Sequence, residues 1–147
     1  MKGTENFYLI NSNGKLIFSF ENPTRRSEIT RPEVLSDFLG LMEAIANRLG
    51  EQQINLIELG RSVIYSSLDK FTNILFIIKC DKKTKRKKMT DTMNRIRHEF
   101  IRIFEGNLNK SDDIKNNLMS EFINSMKKLF GENIKISYTI EELKFVL

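Results

Sequence analysis

Ile74-Leu75-Phe76-Ile77-Ile78 is the longest purely apolar run in the chain, and its reading decides the fold. Five consecutive apolar residues put large side chains on both faces of a β-strand, so a strand built from them needs cover above and below. At roughly 3.3 Å per residue the run crosses a sheet, but it falls well short of the ~20 residues of a membrane-spanning helix. The segment is therefore expected to be the central strand of a sheet layered between helices.

Upstream, Phe7-Tyr8-Leu9-Ile10 and Leu16-Ile17-Phe18-Ser19-Phe20 are β-rich runs separated by Asn11-Ser12-Asn13-Gly14-Lys15. The Asn-Gly pair readily supplies positive φ angles, which predicts a hairpin. Thr30-Arg31-Pro32-Glu33 then reads as a helix start: a capping hydroxyl, an acid three residues on, and a Pro in the first turn. Leu35, Phe38, Leu39, Met42, Ile45, Ala46 and Leu49 follow at three- and four-residue spacing, and Gly50 is placed to end this first helix. From Ile54 the period falls to two, predicting one strand through Leu59 and another through Val63-Ile64-Tyr65, with a turn over Asp69–Asn73 before the central strand.

Beyond a basic run, Met89, Met93, Ile96, Phe100, Phe104 and Leu108 mark a second helical stripe. Ser111-Asp112-Asp113 supplies a capping hydroxyl and two acids suited to the positive end of a third helix. Ile114, Leu118, Phe122, Met126 and Leu129 give its expected buried face, and Gly131 its end. In the last segment Ile134, Ile136, Tyr138 and Ile140 alternate like a strand, whereas Thr139-Ile140-Glu141-Glu142 reads as a capping box for a short helix.

The fold class expected is α/β (α+β): a five-stranded antiparallel sheet with one helix on one face and two on the other, in the order β-β-α-β-β-β-α-α. At 147 residues, 40% hydrophobic and with eleven Phe, the chain has the material for one core. Residues 1–131 are expected to form a single domain, with residues 132–147 a tail docked on it. The apolar start, Phe7 to Ile10, is too short for a signal-peptide core, and the single Cys80 allows no internal disulfide, so a cytoplasmic location is expected.

The net charge of +5 is a local fact. Lys79 to Lys88 holds seven Lys or Arg and one Asp, a charge of +6, which leaves −1 for the rest of the chain. Lys82, Lys83, Lys85, Arg86, Lys87 and Lys88 are candidates for contact with an anionic surface, and a peripheral position at the inner membrane face would follow. The plainer reading is a solvated loop that aids solubility. Nucleic acid is disfavoured, because the run has no interleaved aromatics for stacking and no basic helix face accompanies it.

Catalytic and cofactor patterns are not found. His98 is the only histidine and sits beside Arg97 and Glu99, so neither a histidine-based metal cluster nor a Ser/His/Asp triad has its partners in sequence. Cys80, at the end of the central strand, reads as a small packed residue. The glycines lack any phosphate-cradling spacing, and Asp112-Asp113 and Glu141-Glu142 suit helix starts better than acid–base pairs. The chain is expected to be no enzyme, with no cofactor and no metal.

The strand and helix order, the Asn-Gly hairpin and the doubly apolar fifth strand together resemble the longin domain of the SNARE-like superfamily, over about Phe7 to Phe130. That resemblance implies a longin/profilin-like sheet and a docking platform in small-GTPase or membrane-traffic complexes, without a cofactor. It also implies a protein partner, either a small GTPase or a second longin-like or roadblock-like subunit, and is compatible with a homodimer. The outer surface of the first helix and the edge strand after it would dock the partner, with Arg48 and Ile57 as candidates. No SNARE heptad segment is seen, so a regulator or adaptor role is expected rather than fusion. The alternative is a PAS- or profilin-like small-ligand sensor, against which the bulky Phe38, Phe76, Phe100 and Phe122 weigh.

Overall fold

A computed structural model describes residues 4–11, 13–21, 56–58, 60 and 62–144. The helix expected after Thr30, with Phe38 and Arg48, lies outside the described residues. Strands β1 (Thr4–Ile10), β2 (Leu16–Glu21), β3 (Leu56–Glu58), β4 (Ser62–Asp69) and β5 (Ile74–Asp81) precede helices α1 (Arg86–Phe104) and α2 (Asp112–Phe130). A sixth strand, β6 (Lys135–Tyr138), and a 3-10 turn over Ile140–Glu142 follow.

All pairings are antiparallel, in the order β3-β4-β5-β1-β2-β6. β5 thus runs inside the sheet between β4 and β1. Its register sets Phe76 opposite Leu9 and Ile77 opposite Tyr8 on β1, and opposite Ser67 and Ser66 on β4. Because side chains alternate along a strand, β1 and β5 sort their apolar residues onto two faces. Phe7, Leu9, Phe76, Ile78 and Cys80 enter one buried cluster, and Tyr8, Ile10 and Ile77 enter another with Ile64. The doubly apolar run is a doubly buried strand.

The first cluster lies under α1 and α2. Met89, Met93, Ile96, Phe100 and Phe104 of α1 are buried as the stripe requires, and Leu108 follows them into the core just past the helix end. α2 departs from expectation: Lys115, Met119, Phe122 and Met126 are buried, Leu118 and Leu129 only partly, and Ile114 is exposed. The C-terminal segment explains this shift. Leu143 is fully buried against the core, and its carbonyl accepts a 2.7 Å bond from Lys115 Nζ, which draws that side of α2 inward.

The same segment adds the sixth strand. β6 pairs with β2 through Phe18–Tyr138 and Phe20–Ile136, and the Thr139 N–H continues the ladder by donating to the Ile17 carbonyl at 2.8 Å. Thr139 makes no side-chain cap bond, so the expected capping box does not form; the Glu142 carboxylate instead accepts from Asn11 Nδ2 at 2.9 Å. Both sequence readings of the tail hold in succession, strand and then a short turn of helix.

The first hairpin is wider than a two-residue turn. Among the described residues of the loop only Gly14 takes a positive φ, +77°, while Asn11 Oδ1 accepts from the N–H groups of Asn13 and Lys15 and so closes an Asx-type loop. At α2 the expectation holds: Ser111 Oγ accepts from the Ile114 N–H, and Gly131 ends the helix at φ +105°.

Aromatic rings tie the layers together. Phe122 on α2 meets Phe18 of β2 edge-on at 5.1 Å, and meets Phe100 and Phe104 of α1 at 5.7 and 6.0 Å. On the outside of the helix pair, Arg102 bonds Glu99 at 2.7 Å and Glu121 at 3.1 Å. The Arg102 bond holds the Glu99 carboxyl below its ordinary value, against a smaller opposing effect of burial, and Ser125 adds a further bond. Since Phe122 contacts both α1 and the sheet, Phe122→Ala should cost about 3–5 kcal/mol. Against a domain stability of roughly 5–15 kcal/mol, this removes between about a fifth and all of it, so the chemical-denaturation midpoint of the variant is expected to fall clearly below that of the wild type.

Candidate partner-docking surfaces

The basic run is divided between a turn and a helix. Asp81 closes the turn: its carboxylate accepts from the Lys83 N–H at 2.8 Å and its carbonyl from the Thr84 N–H at 2.9 Å. Lys82, Lys83 and Lys85 are exposed there. Arg86, Lys87 and Lys88 are not part of a loop, as the sequence suggested, but form the first turn of α1, where they are also exposed. The seventh cation, Lys79, is buried on β5 and does not belong to the exposed cluster.

This placement is electrostatically unfavourable within the fold. The first turn of a helix carries partial positive charge and favours acids, yet α1 has none there, and its N-cap residue Lys85 makes no side-chain cap bond. Six cations therefore crowd a positive helix end. Replacing Arg86 and Lys87 by Glu should raise thermal stability, by about 0.3–1 kcal/mol for each favourable charge gained at low salt, with the gain shrinking as salt is added; melting curves across ionic strength check this.

The sheet edges are the second kind of surface. β3 stands at one end of the strand order, with Ile57 opposite Ile64 of β4, and β6 stands at the other with Lys135 and Tyr138 exposed. Arg48 lies outside the described residues. The structure therefore puts Ile57 and the basic cluster on separate elements and does not bring them together as one site.

Residues singled out as chemically capable are dispersed. His98 is exposed on α1, Cys80 is wholly buried, and Asp112 and Asp113 occupy the first turn of α2. Among the described residues no group of three or more His, Cys, Asp or Glu is arranged to hold a metal ion, and no helix is long and apolar enough to cross a membrane. One surface escaped the sequence reading. A cavity of about 410 Å³ opens between the β4–β5 hairpin tip and the C-terminal end of α1, with Phe71, Ile101 and Leu108 in its walls. Its only sequence signal was an aromatic residue, Phe71, inside a polar turn.

An antiparallel, doubly covered sheet with α1 and α2 on one face is consistent with the longin/roadblock-like fold class. Among solved structures, Myxococcus xanthus MglB aligns at a TM-score of 0.52 with 20% sequence identity, over 70% of this chain and 85% of that one. At that identity the likeness is one of fold. No family model matches the chain, and no curated protein matches it in sequence.

Proposed function

We propose that this chain is a non-catalytic protein-interaction module, a subunit or regulator of a small-GTPase or membrane-traffic-like complex. The observation that carries this reading is the filled, doubly buried sheet, in the fold class it has in common with MglB. With Phe76, Phe100 and Phe122 packed ring against ring in the sheet–helix layer, that layer is a core and not a ligand chamber. Recognition then falls to helix surfaces and strand edges, where a protein partner adds main-chain bonds and side-chain anchors.

In this reading Ile57 on β3 and Arg48 contribute to the partner face, and a small GTPase or a second longin- or roadblock-like subunit is the partner. The cluster Lys82, Lys83, Lys85, Arg86, Lys87 and Lys88 supplies a second, electrostatic contact to an anionic membrane, at about 1 kcal/mol per basic residue near the surface. Its unfavourable position on α1 supports a use outside the fold.

The test pairs two measurements. Titration against a panel of purified small GTPases in both nucleotide states should give saturable binding to one of them, weakened by Arg48→Glu and Ile57→Ala. Co-sedimentation should occur with phosphatidylserine-containing vesicles, fail with neutral phosphatidylcholine vesicles, and disappear on replacing Arg86, Lys87 and Lys88 by Glu. No binding to any GTPase overturns the assignment of a GTPase as the partner, and equal binding to both vesicle types overturns the membrane contact.

A further inference from the structure

One hydroxyl lies inside the basic run. Thr84 occupies the turn that Asp81 closes, one residue before the α1 N-cap Lys85, and is partly exposed. Its N–H is held by the Asp81 carbonyl at 2.9 Å, but its hydroxyl makes no hydrogen bond among the described residues. The next threonines along the chain differ. Thr90 Oγ1 donates to the Arg86 carbonyl at 3.0 Å, and Thr92 is buried. Thr84 is thus the free hydroxyl of the segment, with Lys82 and Lys83 before it and Lys85, Arg86, Lys87 and Lys88 after it.

The backbone beside this hydroxyl lacks an anion. The first bond of α1 runs from the Met89 N–H to the Lys85 carbonyl at 3.1 Å, which leaves the N–H groups of Arg86, Lys87 and Lys88 without an acceptor among the described residues. No acid and no capping side chain answers them, and exposed cations stand there instead. A first turn with so few bonds, whose charges repel one another, opens at little cost. Once open, residues 82–88 form an extended basic peptide that carries Thr84, and its charge is complementary to an acidic cleft.

We propose that Thr84 is a phosphorylation site, the substrate of a protein kinase that selects basic residues on both sides of the hydroxyl, and that the phosphate supplies the anion missing at the start of α1. In the transfer Thr84 Oγ1 attacks the γ-phosphorus of ATP held by the kinase. The Oγ1–P bond forms, the bond from phosphorus to the oxygen of the ADP leaving group breaks with its electron pair staying on ADP, and the hydroxyl proton passes to a base of the kinase. A phosphothreonine carries about −1.5 to −2 charges and three acceptor oxygens, so it offsets about two of the exposed cations and offers acceptors to the open N–H groups. The cluster then holds an anionic membrane less well, a consequence that rests on the membrane contact proposed above.

The full chain is incubated with magnesium-ATP and a serine/threonine kinase of that basic specificity, and the product is mapped by mass spectrometry. Phosphate should appear on Thr84 and be lost in Thr84→Ala, while Thr90→Ala is modified as fast as the wild type. The phosphorylated chain should melt about 1–4 °C higher at low salt, with the rise shrinking as salt is added. Its binding to phosphatidylserine-containing vesicles should weaken at least about tenfold. No phosphate on Thr84 overturns the proposal, and so does a phosphorylated chain that melts no higher than the unmodified one. Undiminished vesicle binding by the phosphorylated chain overturns the membrane consequence. The phosphate and the melting shift are read without vesicles, so their failure leaves the membrane contact standing, and failure of the membrane contact leaves them standing.

Discussion

The fold depends on β5 being enclosed on four sides. Its backbone is bonded to β4 on one edge and β1 on the other, and its side chains alternate between two buried clusters. Phe76 and Ile77, adjacent in sequence, face opposite layers and are both fully buried. Each remaining element can be understood by what it contributes to that enclosure. β1 and β4 satisfy the strand's amides and carbonyls, and α1 and α2 remove one face from water.

This enclosure also explains which features were legible in the amino-acid sequence. A run apolar at every position can satisfy itself only inside a layered sheet, so Ile74–Ile78 announced its own place and, with it, cover on both sides. The α1 stripe was equally legible, because one surface decides its burial. α2 was not, since its buried face is shared between the sheet and a tail that docks on it: Lys115 turned inward to meet the Leu143 carbonyl, and no helical periodicity marks a lysine as buried. The sixth strand was visible as alternation in Ile134–Ile140 but not as a sheet member, because pairing with β2 is a long-range choice that local pattern does not encode.

Surfaces were harder to read than the core for a related reason. The charge run was plain in sequence, but its division into a turn closed by Asp81 and a helix start was not, and that division gives the cluster its physical meaning. Cations in a solvated loop cost the fold little, while cations at a helix N-terminus oppose the dipole. The hairpin pocket had no sequence signature beyond an aromatic residue, Phe71, inside a polar turn. Its floor comes from the far end of α1 and its rim from the β4–β5 tip, and only the fold brings them together.

If β5 is the innermost element of the fold, native-state amide hydrogen exchange must record it. The hydrogen-bonded amides of Phe76, Ile77 and Ile78 should be among the slowest to exchange, released only by global unfolding, while those of β3 and β6 open earlier by local fluctuation. Exchange at Phe76–Ile78 as fast as at the sheet edges would contradict it.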